Sequence, residues 1–396
     1  MPPRRIQSKS HHGCLQCKRR SVKLTVAPLP TQCDEKRPKC TRCFNRRSAC
    51  QYSTLCQWTR EDLSHRGLSD IGGTQSTAQH NYVVATSHQR PQERGDFNTQ
   101  HLRLLLHWTT TTYRSISRSE DLEWIWQHTI PRLSLSHPFL LHGVLALAAL
   151  HLTLTSAEET EQEDLIRAAE YHQSEAITFL TPALTNTTSS TCDAAFSLSL
   201  ILVIFTFGFP LAVGPTYGSN SLDDIYQVLM FTKRMMTFSV GIYESVKNGE
   251  VGGLAVLEDS GFEPSDSTLS TLSALCELNM QAQRADAAHD YDTIQETIQR
   301  LEVPLASLNH GEGLPSIFMW IFLTPTAFFD LVSKRDPLAL IVLAHYCVPL
   351  HYHRANWWLS SWGYRVLDIV YNTLDSHLRP SLTWPICEIG YKEREG

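Results

Sequence analysis

The sequence predicts a small cysteine-built module, a polar linker and a large all-α domain, in that order. Three observations carry this. Six of the eleven cysteines fall between positions 14 and 50 of the 396 residues. From about Ser53 to Asp96, Gly, Ser, Gln and His dominate and few apolar residues recur, as in a flexible linker. From Phe97 onward apolar residues return at helical spacing, and strand-like alternation is scarce. The expected parts are therefore residues 1–55, 56–96 and 97–396.

The module contains Cys14, Cys17, Cys33, Cys40, Cys43 and Cys50. Two Cys-x2-Cys pairs, 14/17 and 40/43, have the bite that suits a tetrahedral zinc. Two zinc ions need eight thiolate positions, which six cysteines supply if two of them bridge both metals. Zinc held that way is structural, with no open position for catalysis. Basic residues accompany both pairs: Lys18, Arg19 and Arg20 after the first, and Arg42, Arg46 and Arg47 around the second. Residues 1–52 carry 13 Lys/Arg against 2 Asp/Glu, a charge of +11; the remainder carries 21 against 38, or −17. Such a head suits a polyanion, and such a body does not. An odd cysteine total with paired ones in zinc spacing favours a reducing compartment over a disulfide scaffold. The opening MPPRRIQSKSHHG lacks the apolar stretch of a secretory signal, while Arg4, Arg5 and Lys9 suit nuclear import.

Cys33-x6-Cys40-x2-Cys43-x6-Cys50, with Pro38 in its loop, resembles the second half of the fungal binuclear zinc cluster (Zn2Cys6) transcription factors. The resemblance implies a Zn2Cys6 module bound to double-stranded DNA, with Cys14 and Cys40 as the bridging ligands. It also implies that base contacts come from the third and fourth positions after the second cysteine, here Arg20 and Ser21. A helix from Cys17 through Lys23 presents Lys18, Arg19, Arg20 and Lys23, long cations able to reach phosphates or guanine O6/N7 in the major groove. Arg20 is the expected base reader of a CGG-type, GC-rich element; Arg46 and Arg47 are expected on phosphates.

The first half departs from the family pattern, with fifteen residues between Cys17 and Cys33 in place of six. Without Leu24–Gln32 (LTVAPLPTQ) the text reads CLQCKRRSVKCDEKRPKC, a regular match. The uncharged insert with two prolines reads either as a splicing artefact or as a genuine isoform. Lengthening the loop costs roughly 0.8 kcal/mol in closure entropy, against the order of 10–16 kcal/mol from structural zinc in small finger peptides. Entropy therefore permits the cluster, and displacement of the third ligand is the graver risk.

The large domain reads as a succession of helices. In HLRLLLHWTTTTYRSI, Leu102, Leu105, Leu106 and Tyr113 share one broad face. Glu120–His128 opens with acids and is expected to stop before Pro131. Ser136-His137-Pro138 opens the apolar FLLHGVLALAALHLTL, and Glu163–Leu180 is amphipathic up to Pro182. Leu269–Gln299, Leu338–His353 and Leu359–Leu378 complete the set. The blocks LLLHWTTTTYRSIS, PRLSLSHPFLLHGVLALAALHL, LAHYCVPLHYHRANWWLSSWGYRVL and WPICEIG resemble the regulatory domain of the sterol uptake control-type factors. That resemblance implies a helical domain that gates activation and takes an apolar small-molecule ligand; many relatives control secondary-metabolite genes instead.

Other features read as structure. Ala194–Val213 is long enough to span a membrane, but Ser197, Ser199, Gly208 and Pro210 and the absence of basic flanks favour a buried core helix, so no stable membrane insertion is expected. Such a helix is also the expected wall of any ligand pocket. His345, Cys347, His351 and His353 do not share one helical face and read as packing residues, and Trp357, Trp358 and Trp362 read as core or pocket wall. Asp223-Asp224 reads as the first turn of a helix starting after Ser221. No phosphate-binding glycine loop, Gly-x-Ser-x-Gly elbow or His-Glu-x-x-His occurs, so no enzyme activity is expected. Sustained heptads are missing after the cluster, which leaves a monomeric binder or a homodimer formed through the large domain.

The cluster reading makes a stoichiometric prediction. A purified 1–60 fragment should bind two zinc ions both with Leu24–Gln32 and without it. Two ions only in the shortened form would show that the insert displaces the third ligand.

Overall fold

The computed structural model describes residues 98–392, except 157, 185–187, 215–220, 257–261 and 310–312, together with Thr41, Cys43 and Arg46. The chain divides into two units, Met1–Asn98 and Thr99–Gly396. Every regular element among the described residues of the second unit is helical.

The unit opens with α1 (Thr99–His107), a π turn (Trp108–Thr112) and α2 (Tyr113–Ile116). Next come α3 (Glu120–Trp124), a second π turn (Ile125–Thr129) and α4 (Ile130–Ser134). In both turns the closing N–H reaches five residues back, Tyr113 to the Trp108 carbonyl and Ile130 to the Ile125 carbonyl. A π turn leaves carbonyls without their ordinary partners, and nearby donors take them up. Thr110 Oγ1 donates to the Leu106 carbonyl at 2.8 Å. The two turns also bond to each other: Trp108 Nε1 donates to the Trp126 carbonyl at 2.8 Å, and Gln127 Nε2 to the Thr109 carbonyl at 3.0 Å.

These turns overturn two expectations. The extra residue in each turn shifts the register of the helix after it. The buried positions are Leu104, Trp108, Thr112, Tyr113 and Ile116, while Leu102 and Leu106 are exposed. Pro131 does not end its helix either. It sits in the first turn of α4, directly after the widened turn, where its missing N–H is tolerated.

Two hub helices organise the rest. The first is α5 (Pro138–Thr153), with Pro138 in its first turn and 12 of its 16 residues buried. Around it pack α1, α4, α6 (Glu159–Ala183) and α7 (Ser189–Ala212). The α6 helix runs past Pro182, which falls in its last turn. The second hub is α16 (Pro337–Tyr352), buried from Leu338 to Leu350 and capped by Asp336, whose carboxylate accepts from the Ala339 N–H at 2.9 Å. Both hubs are apolar all round because both are covered all round.

Between the hubs, α8 (Leu222–Gly241) packs against α7, α14 (Leu314–Leu323), α15 (Thr326–Ser333) and α17 (Trp362–Thr373). It begins with a full capping box: Ser221 accepts from the Asp224 N–H, and Asp224 accepts from Ser221. Asp223-Asp224 is thus the helix start expected. The α14 and α15 helices, which the sequence reading missed, meet at 87°. Lys233 Nζ donates to the Phe322 and Thr324 carbonyls at that corner, supplying the donors that the end of α14 lacks. Short helices α9 (Tyr243–Val246) and α10 (Gly252–Ala255) lead to α11 (Asp266–Ala285). The stretch expected as Leu269–Gln299 breaks after α11, and α12 (Tyr291–Arg300) restarts at the Asp290 cap. Next comes α13 (Glu302–Ala306), between α12 and α14. The C-terminal part adds a 3-10 segment (Ser376–Leu382) and α18 (Thr383–Ile389), which the expected end at Leu378 also missed.

The α7 helix is the long apolar stretch that matched a membrane span in length. Seventeen of its 24 residues are buried in the helical unit. Its hydroxyls are satisfied locally, Ser197 on the Asp193 carbonyl and Thr206 on the Leu202 carbonyl, so burial leaves no orphaned donor there.

Two glycines of the hub packing leave no room for a Cβ. A Cβ on Gly143 of α5 would run into the Leu198 side chain of α7. On Gly363 of α17 it would lie 2.6 Å from the Cys347 carbonyl oxygen and 2.8 Å from the His351 nitrogen, both backbone atoms of α16. A side chain can yield where a backbone cannot. Gly363→Ala should therefore destabilise the protein by about 2–3 kcal/mol, and Gly143→Ala by less, as read from urea unfolding midpoints. Equal, small losses would contradict this packing.

Candidate nucleic-acid interface and the polar sites of the helical body

Of the residues expected to hold zinc, the structure describes Cys43, which is helical and buried. Of those expected on DNA it describes Arg46, which is exposed at a turn. Cys14, Cys17, Cys33, Cys40 and Cys50 lie outside the described residues, as do Lys18, Arg19, Arg20, Lys23 and Arg47. Among the described residues no three His, Cys, Asp or Glu side chains come together as a metal site.

Of the C-terminal histidines, His345 is buried within the second hub. His345 Nδ1 meets the Ile341 carbonyl at 2.8 Å, and its ring lies parallel to Trp384 at 5.6 Å. Cys347 Sγ donates to the Leu343 carbonyl, and burial pushes its thiol pKa far up. The tryptophans tie the segment after α16 to the first hub. Trp357 stacks on His151 and donates to Ser115 Oγ at 3.1 Å, and Trp362 Nε1 donates to the Phe207 carbonyl at 2.8 Å. Along α7, Phe207 lines an apolar void of only about 10 Å³. That is room for about one water, too little for a ligand.

Sequence reading missed the histidines gathered on α1, α5 and α6. His142 and His172 meet through their Nδ1 atoms at 3.0 Å, with the His101 ring 4.8 Å from His172. Further along, His151 Nδ1 lies 3.2 Å from His107 Nε2 and 3.1 Å from Thr112 Oγ1. These residues come from separate segments with no common spacing, so no local signal marks them. Burial lowers the pKa of all five, with neighbouring histidines reinforcing it for His151 and His172, which fall to about 4. A second buried polar group is Asp193: its Oδ2 accepts from the Glu250 N–H at 3.1 Å, its Oδ1 has no partner, and burial raises its pKa.

Comparison with known proteins gives this helical body a context. Residues 103–214, from α1 to just past α7, match the fungal specific transcription factor domain. The chain is similar to the Zn(2)-C6 fungal-type transcription factor afumD of Aspergillus fumigatus, 26% identical over 373 residues, covering 87% of this chain and 86% of that one. It is also similar to sterol uptake control protein 2 of Candida albicans, 30% identical over 127 residues, 31% of this chain and 17% of the relative. A Zn(2)-C6 fungal-type transcription factor of Gibberella zeae is 25% identical over 52% of this chain and 47% of its own length. The chain is thus similar to fungal transcription factors, in keeping with the resemblance read from its helical blocks. None of these relatives is named as an enzyme.

The buried histidines make stability depend on pH. His151, His172 and His345 have folded pKa values of about 4, below the unfolded value near 6.5. As pH falls through this window the unfolded chain binds protons that the folded chain refuses, so stability is lost. The urea midpoint should fall steadily from pH 7 to pH 5, and less steeply in His172→Asn. A midpoint independent of pH over that range would contradict the burial of these rings.

Proposed function

We propose that the protein is a zinc-dependent, sequence-specific DNA-binding regulator of RNA polymerase II transcription that acts in the nucleus. In this reading the six cysteines of residues 14–50 hold two structural zinc ions. Lys18, Arg19, Arg20 and Lys23 face the DNA, with Arg20 reading a base of a CGG-type element and Arg46 and Arg47 seated on phosphates. The helical body gates the output of the head. The observation that carries the reading is the pairing of six cysteines in zinc spacing, in a head of charge +11, with a body that matches the fungal specific transcription factor domain.

The name of the sterol uptake control relative supports regulation of sterol or lipid genes as the output, and a secondary-metabolite gene set is the other output that the family resemblance implies. The second reading rests on the nine residues Leu24–Gln32. If they displace Cys33, the chain is an isoform that acts only through ligands or partners of its helical body.

Base readers and phosphate contacts respond differently to truncation. Arg20→Ala should cost about 1–3 kcal/mol on a CGG-containing duplex and relax specificity at one base pair, while Arg46→Ala should weaken binding to every sequence alike. Equal losses on specific and random DNA for Arg20→Ala would overturn the base-reading role. No binding by the wild-type chain, with binding restored on removing Leu24–Gln32, would establish the isoform reading.

A further inference from the structure

A groove of about 400 Å³ opens between α11 and the C-terminal 3-10 and α18 segments, with His345 of the second hub among its lining residues. That is the size of a small-molecule site and far more than the packed void beside Phe207. Its wall combines apolar surface from Leu275, Leu278 and Pro380 with hydroxyls from Ser270 and Ser381. No charged side chain among the described residues lines it.

His345 gives the groove a defined polar group. It is only 4% exposed, yet only one of its ring nitrogens has a protein partner, Nδ1 at the Ile341 carbonyl. A carbonyl can only accept, so the proton sits on Nδ1 and Nε2 is left as an acceptor. Burial lowers the His345 pKa to about 4, which keeps the ring neutral near pH 7. Beside it the indole of Trp384 lies parallel at 12°, and its Nε1 donor is sealed from water without an acceptor. His345 Nε2 is not sealed in the same way, and with His345 lining the groove it is the acceptor that the groove offers.

We propose that this groove binds an uncharged aromatic alcohol, a phenol-type ring compound whose hydroxyl donates to His345 Nε2 and whose flat body lies along Trp384, Leu275 and Leu278. A carboxylate or phosphate finds no cation among the described lining residues, and a pure hydrocarbon leaves His345 Nε2 unanswered. The site stands apart from the DNA-binding reading, because it is tested on the full chain without DNA.

The test uses 1-naphthol as the probe and naphthalene, the same ring without the hydroxyl, as its comparison. Calorimetry on the full chain at pH 7 should show saturable binding of 1-naphthol at one site, at least tenfold tighter than naphthalene. His345→Leu should erase that tenfold preference while leaving naphthalene binding unchanged. Ala274→Phe changes an exposed α11 residue of the groove wall and should abolish binding of both while the unfolding midpoint holds. No saturable 1-naphthol binding by the folded wild type, or an unchanged preference in His345→Leu, would overturn the proposal. Undiminished binding to Ala274→Phe would place the ligand elsewhere and overturn it as well.

Discussion

Helices normally pack with axes 8–10 Å apart, held off by their side chains. In this protein each hub has a partner that comes nearer than a Cβ permits, α7 on α5 at Gly143 and α17 on α16 at Gly363. Much else depends on these two approaches. The seating of α7 buries an apolar helix that would otherwise need a membrane or a partner. The seating of α17 brings Trp362 to the Phe207 carbonyl and so ties the partner of the second hub to α7, the partner of the first.

Much of this architecture was legible in the amino-acid order, and the parts that escaped have identifiable causes. Pro138 at a helix start, the Ser221–Asp224 capping box and the uncharged length of α7 are local signals, and each placed its element. The face assigned to Leu102, Leu105, Leu106 and Tyr113 was wrong because periodicity assumes 3.6 residues per turn throughout, and Trp108–Thr112 breaks that count. The stop expected at Pro131 failed for the same reason, since the widened turn before it tolerates the missing donor. The histidines around His151 and His172 come together only through the packing of α1, α5 and α6. The wall of the α11–α18 groove joins residues more than one hundred positions apart, which no window along the chain can see.

The candidate site divides along the same line. The zinc and DNA assignments rest on spacing and charge, which a linear reading handles well, and on relatives whose names mention Zn(2)-C6. The properties of the helical body rest instead on burial: neutral histidines, a raised Asp193 and an indole donor without an acceptor. A basic head and an acidic body also divide the electrostatic labour. Positive charge is concentrated where a polyanion is expected, and the net negative charge of the remainder discourages the body from competing for it.

The two π turns have a further consequence for how this fold can vary. A π turn is, in effect, one inserted residue absorbed by a helix. Each residue of an α-helix turns the chain by about 100°, so the turn at Trp108–Thr112 works as a rotational joint. Moving it along the run of threonines, or losing one of them, would spin Thr99–His107 about its own axis while α5 stayed in place. A change of one residue in chain length could therefore exchange which leucines of the first helix face water and which face the core, without altering the order or connection of any helix.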